Sequence, residues 1–157
     1  EQVIKNLPKL AKDKHNENKK YFDKLKKKAP KNIDYIMQEL HDQEFKKTDC
    51  LKCAIVAKQP GRFLLLQILR GFPNILAEAT TIYRSVSSDY VLQSVPCTFL
   101  DAENYCMIYD VRPKACREYP HTDRKKFQQI SNLTLQNVAI CPAAYNIVEE
   151  MKKRMPL

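Results

Sequence analysis

P-C-T-F-L-D-A-E-N-Y-C-M-I-Y-D-V-R-P-K-A-C-R-E-Y-P, residues 96–120, carries three of the chain's six cysteines, Cys97, Cys106 and Cys116. Eight and nine residues separate them, too many for one tight metal knuckle and few enough to converge once the chain folds back. Thiolates gathered in this way select zinc or iron over magnesium or calcium, because soft sulfur ligands suit those metals. Arg112 and Arg117 flank the Pro113–Cys116 segment, where guanidinium charge is expected to favour thiolate over thiol.

The run C-M-I-Y-D-V-R-P-K-A-C-R-E-Y-P, from Cys106 to Pro120, resembles the signature C-x-I-Y-x-x-R-P-x-x-C-R-x-(F/Y)-P of the YkgJ-type cysteine-cluster family. Members of that family are described as zinc- or iron-chelating domains. Cys97, Phe99 and Leu100 are similar to its C-P-F-L element, with Thr98 in the proline's place. Cys50 and Cys53 match the first half of its C-x-x-C-x-x-C-C cluster, and Cys141, in I-C-P-A, matches a late cysteine. The resemblance touches roughly residues 48–58 and 89–145. It implies metal binding and leaves the molecular role open.

A chain of 157 residues is expected to form one small domain with a real core. The net charge is +9, and residues 1–48 hold thirteen Lys against eight acids. Such a surplus favours acidic partners, nucleic acid or acidic protein, without choosing one; Lys-rich helices with interspersed acids more often present a solvated face. No segment has the length of a transmembrane helix, and the charged start lacks a signal peptide's apolar stretch, so a cytoplasmic chain is expected. There, six cysteines argue for metal or redox chemistry over structural disulfides. The absence of an initiator Met is expected of processing or of a truncated start.

The N-terminal segment, residues 1–47, reads as helical. Val3, Ile4, Leu7, Leu10, Ala11, Phe22 and Leu25 predict one long helix, or two broken near the polar run from His15 to Lys20, with Pro8 bending or delaying it and Pro30 ending it. Ile33, Ile36, Met37 and Leu40 predict a second amphipathic helix capped by Asn32, and both are expected to pack on the cysteine domain, residues 48–145. His15 and His41 are expected on solvated faces and receive no role. Ile108-Tyr109 reads as a short extended stretch with Tyr109 in the core, and a helical turn is expected from Pro113. His121 is a cap or surface residue and the first substitute should thiols be short. Residues 142–157 form the closing helix, with Ala144, Ile147, Val148 and Met151 on its inner face and Lys152, Lys153 and Arg154 at its C-terminal dipole.

The C-x-x-C at Cys50 and Cys53 lets two sulfurs reach one ion; a thioredoxin-like redox pair is the competing reading, without a βαβ pattern around it. Beyond it the chain departs from the family, with Ala54-Ile55-Val56-Ala57-Lys58 where a cysteine pair belongs. Residues 59–88 contain no lysine, one acid, Glu78, and both glycines, Gly61 and Gly71. Two readings account for the atypical stretch 54–88. Ordinary divergence lost the two ligands, or a frameshift covers them: GCA-ATT-GTT-GCA-AAA, a permitted encoding of residues 54–58, gives Asn-Cys-Cys-Lys when read two bases later. The coding DNA decides between them. As it stands, the block from Phe63 to Leu69 reads as a buried helix ended by Gly71 and Pro73, followed by a short helix from Ile75 to Tyr83.

The expected fold is therefore mainly α, a small single domain with irregular cysteine-bearing loops around a metal site. The leading functional reading is a non-enzymatic zinc- or iron-binding module with Cys50, Cys53, Cys97, Cys106, Cys116 and Cys141 as candidate ligands. Cys97, Cys106 and Cys116 plus one further thiol would complete a Cys₄ zinc site. An iron–sulfur or other metal-dependent enzyme, methylase- or redox-like, is the alternative, since the cysteines resemble those of flagellin lysine methylases. A third reading is a nucleic-acid binder with a zinc-ordered core, and the fourth a damaged copy that no longer holds metal. The oligomeric state is open.

Overall fold

The computed structural model describes residues 2–53, 82–84, 90–92, 96–112 and 114–157. They are mainly helical: α1 (Gln2–Asp13), α2 (His15–Lys28), α3 (Ile33–Phe45), the one-turn α4 (Cys50–Cys53), α5 (Lys114–Arg117), α6 (Ser131–Asn137) and α7 (Pro142–Arg154). Two 3₁₀ turns lie at Tyr109–Val111 and Phe127–Ile130, and a short antiparallel pair joins β1 (Ile82–Arg84) to β2 (Tyr90–Leu92). No helix among the described residues is long and apolar enough to cross a membrane. The block from Phe63 to Leu69 and residues 75–81 lie outside the described residues. At the end of the expected Ile75–Tyr83 helix, Ile82 and Tyr83 are instead strand residues, facing Leu92 and Val91 across the ladder.

The chain divides into two compact units. One is built from residues 1–49 and 120–157, the other from residues 50–119. In the first unit the N-terminal helix breaks at Lys14, beside the polar run, which itself opens α2, and Pro8 sits inside α1 without ending it. Leu7 and Ala11 of α1 and Tyr21, Phe22 and Leu25 of α2 are buried, as the periodicity requires. Helix α2 stops at Lys28, and Ala29 turns extended before Pro30, whose ring disfavours a helical predecessor. Ile33, Met37 and Leu40 form the buried stripe of α3. Asn32 occupies the cap position of α3 but makes no side-chain capping bond, contrary to expectation.

Helix α7 supplies the other half of this core. Ala143, Ala144, Ile147, Val148 and Met151 are buried, and α7 packs against both α1 and α3. Phe127, fully buried, lies 6.3 Å from the Phe22 ring and fills the space between α2, α3 and the 3₁₀ turn that carries it. Burying an aromatic ring of this kind removes 150–250 Å² from water, the largest single contribution a side chain makes to a core. Lys152 is the cation this packing draws inward. Its Nζ meets Glu17 Oε1 at 2.5 Å, Glu149 Oε1 at 2.7 Å and Asn18 Oδ1 at 2.9 Å, so the charge is paired where it leaves water.

His41 departs from the expected solvated face. Its side chain is 19% exposed, its Nδ1 lies 2.8 Å from Thr122 Oγ1, and its ring packs 4.4 Å from that of Phe45. His15 is exposed, as expected.

Candidate metal centre

Cys97, Cys106 and Cys116 all belong to the second unit. A tight loop sets the first two. Asp101 Oδ1 accepts hydrogen bonds from the backbone N–H groups of Glu103 and Tyr105 at 2.9 and 2.8 Å, while its own N–H donates to the Tyr105 carbonyl at 2.9 Å. Asn104 completes the turn at φ 69°, a left-handed conformation that Asn tolerates better than most side chains. The chain thereby doubles back: Leu100 and Cys106 form an isolated antiparallel bridge, and Met107 N–H donates to the Phe99 carbonyl at 2.8 Å. Phe99 is buried and anchors the loop. Cys97 starts the first arm and Cys106 lies on the second.

From Cys106 the backbone turns again, with Tyr109 N–H donating to the Cys106 carbonyl at 3.1 Å. This 3₁₀ turn replaces the extended stretch expected at Ile108-Tyr109. Tyr109 is 60% exposed and not a core residue. Its ring is covered instead by Arg112, whose guanidinium carbon stands 3.4 Å from the ring centroid while Nε donates to the Tyr109 carbonyl at 2.8 Å. Cys116 follows on the one-turn helix α5.

The three half-buried thiols sense one another. Burial pushes the Cys116 thiol up to about 12, the neighbouring Cys97 and Cys106 push the same way, and Arg112 opposes them only weakly. Cys97 is also raised, first by burial, with Cys106 adding to it and a hydrogen bond from the Phe99 backbone working against it. Arginine charge does favour thiolate at Cys116, as expected, but burial outweighs it. Arg112 keeps its charge while stacked on Tyr109, and the desolvation of a group that becomes anionic on losing its proton is the larger effect.

The other candidates are placed differently. Cys50 and Cys53 begin and end α4 in the same unit, and Cys50 is exposed. Cys141 lies in the first unit, buried, as the N-cap of α7, where its Sγ accepts the Ala144 N–H at 3.5 Å. Among the described residues, no group of three or more His, Cys, Asp or Glu is placed so that it could hold a metal ion, and the three thiols are near neighbours and not a formed site. The donor set nonetheless fits zinc or iron: soft sulfur atoms from three turns of one loop region, close enough to repel as anions, the condition a bound cation relieves. Asp101 and Asn104, which shape the loop, escaped the sequence reading. An Asp followed three residues later by Asn is the turn signal that could have found them.

The family model "CxxCxxCC: Putative zinc- or iron-chelating domain" matches residues 4–134. The chain belongs to the CxxCxxCC family. Neither the curated proteins nor the solved structures gave a match. The CxxCxxCC match is wider than the motifs alone, since it takes in α1, α2 and α3, and it ends before Cys141. Cys50 and Cys53 supply the first half of the cluster that gives the CxxCxxCC family its title. The second half falls in the 54–88 stretch, most of which lies outside the described residues, so divergence and frameshift both stand as readings of it.

Proposed function

We propose that the chain is a non-enzymatic metal-binding module that holds zinc or iron through the thiolates of Cys97, Cys106 and Cys116. The observation that supports this reading is the family match to a zinc- or iron-chelating domain, together with three thiols of residues 50–119 near enough to raise one another's pKa. Cys50 or Cys53, at the start of the same unit, is the preferred source of a fourth sulfur. Cys141 belongs to the other unit, where its Sγ caps α7. A bound zinc or iron would supply the positive charge that keeps clustered sulfurs deprotonated. The chain's own contribution is the scaffold: the Asp101 turn fixes the Cys97 and Cys106 arms, and the Arg112–Tyr109 stack fixes the bend leading to Cys116.

Metal analysis of protein purified without oxygen tests the reading. About one zinc or iron per chain, lost in Cys97→Ser, Cys106→Ser and Cys116→Ser, is the expected result. Several irons with acid-labile sulfide and visible absorption would move an iron–sulfur enzyme to the front. Absence of metal would leave a family member whose altered 54–88 stretch has removed its ligands.

A further inference from the structure

The first unit brings two cationic segments, distant in sequence, to one corner. Helix α2 ends in three lysines, 26–28, and Lys31 lies in the connection to α3. Arg124, Lys125 and Lys126 form the turn that enters the Phe127 3₁₀ helix. Two sets of contacts fix the second segment beside the first. The backbone N–H groups of Lys126 and Phe127 donate to Asp34 Oδ1 in the first turn of α3, at 2.8 and 3.4 Å, and the Phe127 ring packs against Phe22 of α2.

All seven cations are exposed, and none pairs with a carboxylate of the described residues. Four other cations of the same unit, Lys14, Lys152, Lys153 and Arg154, each meet a glutamate, and what distinguishes the corner is that two segments distant in sequence add their exposed charges there. The corner's own acids are mostly committed. Asp34 holds the turn's backbone, Asp123 faces His41 Nε2 at 4.0 Å, and only Asp23 is left over. Gathering like charges without partners costs stability through mutual repulsion, a cost that a polyanion removes. Beside Asp34, the Tyr35 side chain is 71% exposed, the most exposed large hydrophobic residue among those described.

These features select one class of polyanion. A helix that lies on an anionic membrane turns its apolar face outward, whereas the apolar residues of α2, Tyr21, Phe22 and Leu25, are in the core. A cationic surface with a free aromatic face is the arrangement that single strands use, phosphates on the charges and a base on the ring. We propose that this corner of the first unit binds single-stranded nucleic acid, with the lysines and Arg124 contacting phosphates and Tyr35 stacking on a base.

Fluorescence anisotropy of the metal-loaded full chain with labelled oligouridine, across a salt series, is the test. Log affinity is expected to fall linearly with log salt, and Lys26→Gln/Lys27→Gln/Lys28→Gln to make the slope shallower by about 2, at roughly 0.7 per lost phosphate contact on a single strand. The Lys→Arg triple variant should bind as the parent does. Tyr35→Ala should weaken binding by about 5- to 150-fold with the slope unchanged, and Tyr35→Phe should not, because stacking needs the ring and not the hydroxyl. Lys125→Gln/Lys126→Gln gives an independent check from the other segment. No binding at low salt, unchanged binding by both Gln variants, or equal binding of polyglutamate or phosphatidylserine vesicles would overturn the proposal. The metal reading stands apart, since none of these residues lies in the cysteine-bearing unit.

Discussion

Tyr21 donates its hydroxyl to the Met155 carbonyl at 2.7 Å from a buried position, and burial raises its pKa from 10.0 to about 12. The folded chain therefore keeps a proton that the unfolded chain loses across that interval. The associated stability is complete below pH 10 and is lost as the pH rises towards about 12. One tyrosinate should lag the rest in an alkaline absorbance titration, and Tyr21→Phe should abolish the lag while costing about 1 kcal/mol in denaturant melts near neutrality. The same force, desolvation, explains what was hidden at the cysteines. Their positions were legible, since spacing and ligand type are properties of the sequence. Their protonation was not, because Arg112 is visible in the sequence while the burial that outweighs its charge is a property of the fold.

Helices with an unbroken apolar stripe were the legible elements. Ile33, Met37 and Leu40 on α3, and Ala144, Ile147, Val148 and Met151 on α7, are buried where their spacing puts them. The one-turn helix after Pro113 was legible too, whereas the 3₁₀ turn at Tyr109–Val111 was not, because it rests on single backbone bonds to the Cys106 and Ile108 carbonyls. Phe127, in another such turn, joins α2 to α3, and Phe127→Ala is expected to destabilise the first unit by about 3–5 kcal/mol in chemical denaturation. Cys141→Ser discriminates between a cap and a ligand at the start of α7. As a cap, serine's oxygen takes over the Ala144 N–H, leaving stability within about 1 kcal/mol and metal content unchanged; loss of metal at unchanged stability would assign Cys141 to the site.

At the scale of the whole molecule, the division at residues 50 and 119 predicts an uneven response to metal removal. Chelation should release hydrogen-exchange protection of the backbone amides at 97–118, while α3 and α7, held by their own buried residues, keep theirs. Uniform loss in both units would show that metal supports the entire chain. The sequence set the start of the cysteine-bearing segment at residue 48, but not the return of residues 120–157 to the first unit, because no linker composition marks residue 120 and the pairing of α1 and α3 with α7 is long-range. That pairing also sets an order of events during translation. Leu7, Phe22 and Leu25 leave the ribosome early, yet the helix that covers their neighbours on α1 and α3 is made only after residue 142. The first unit thus cannot close while the chain is half synthesised, and its apolar faces wait through the production of the entire cysteine-bearing segment. Ribosome-bound chains arrested before α7 should accordingly be protease-sensitive across α1, α2 and α3, and a holding chaperone would find its target there.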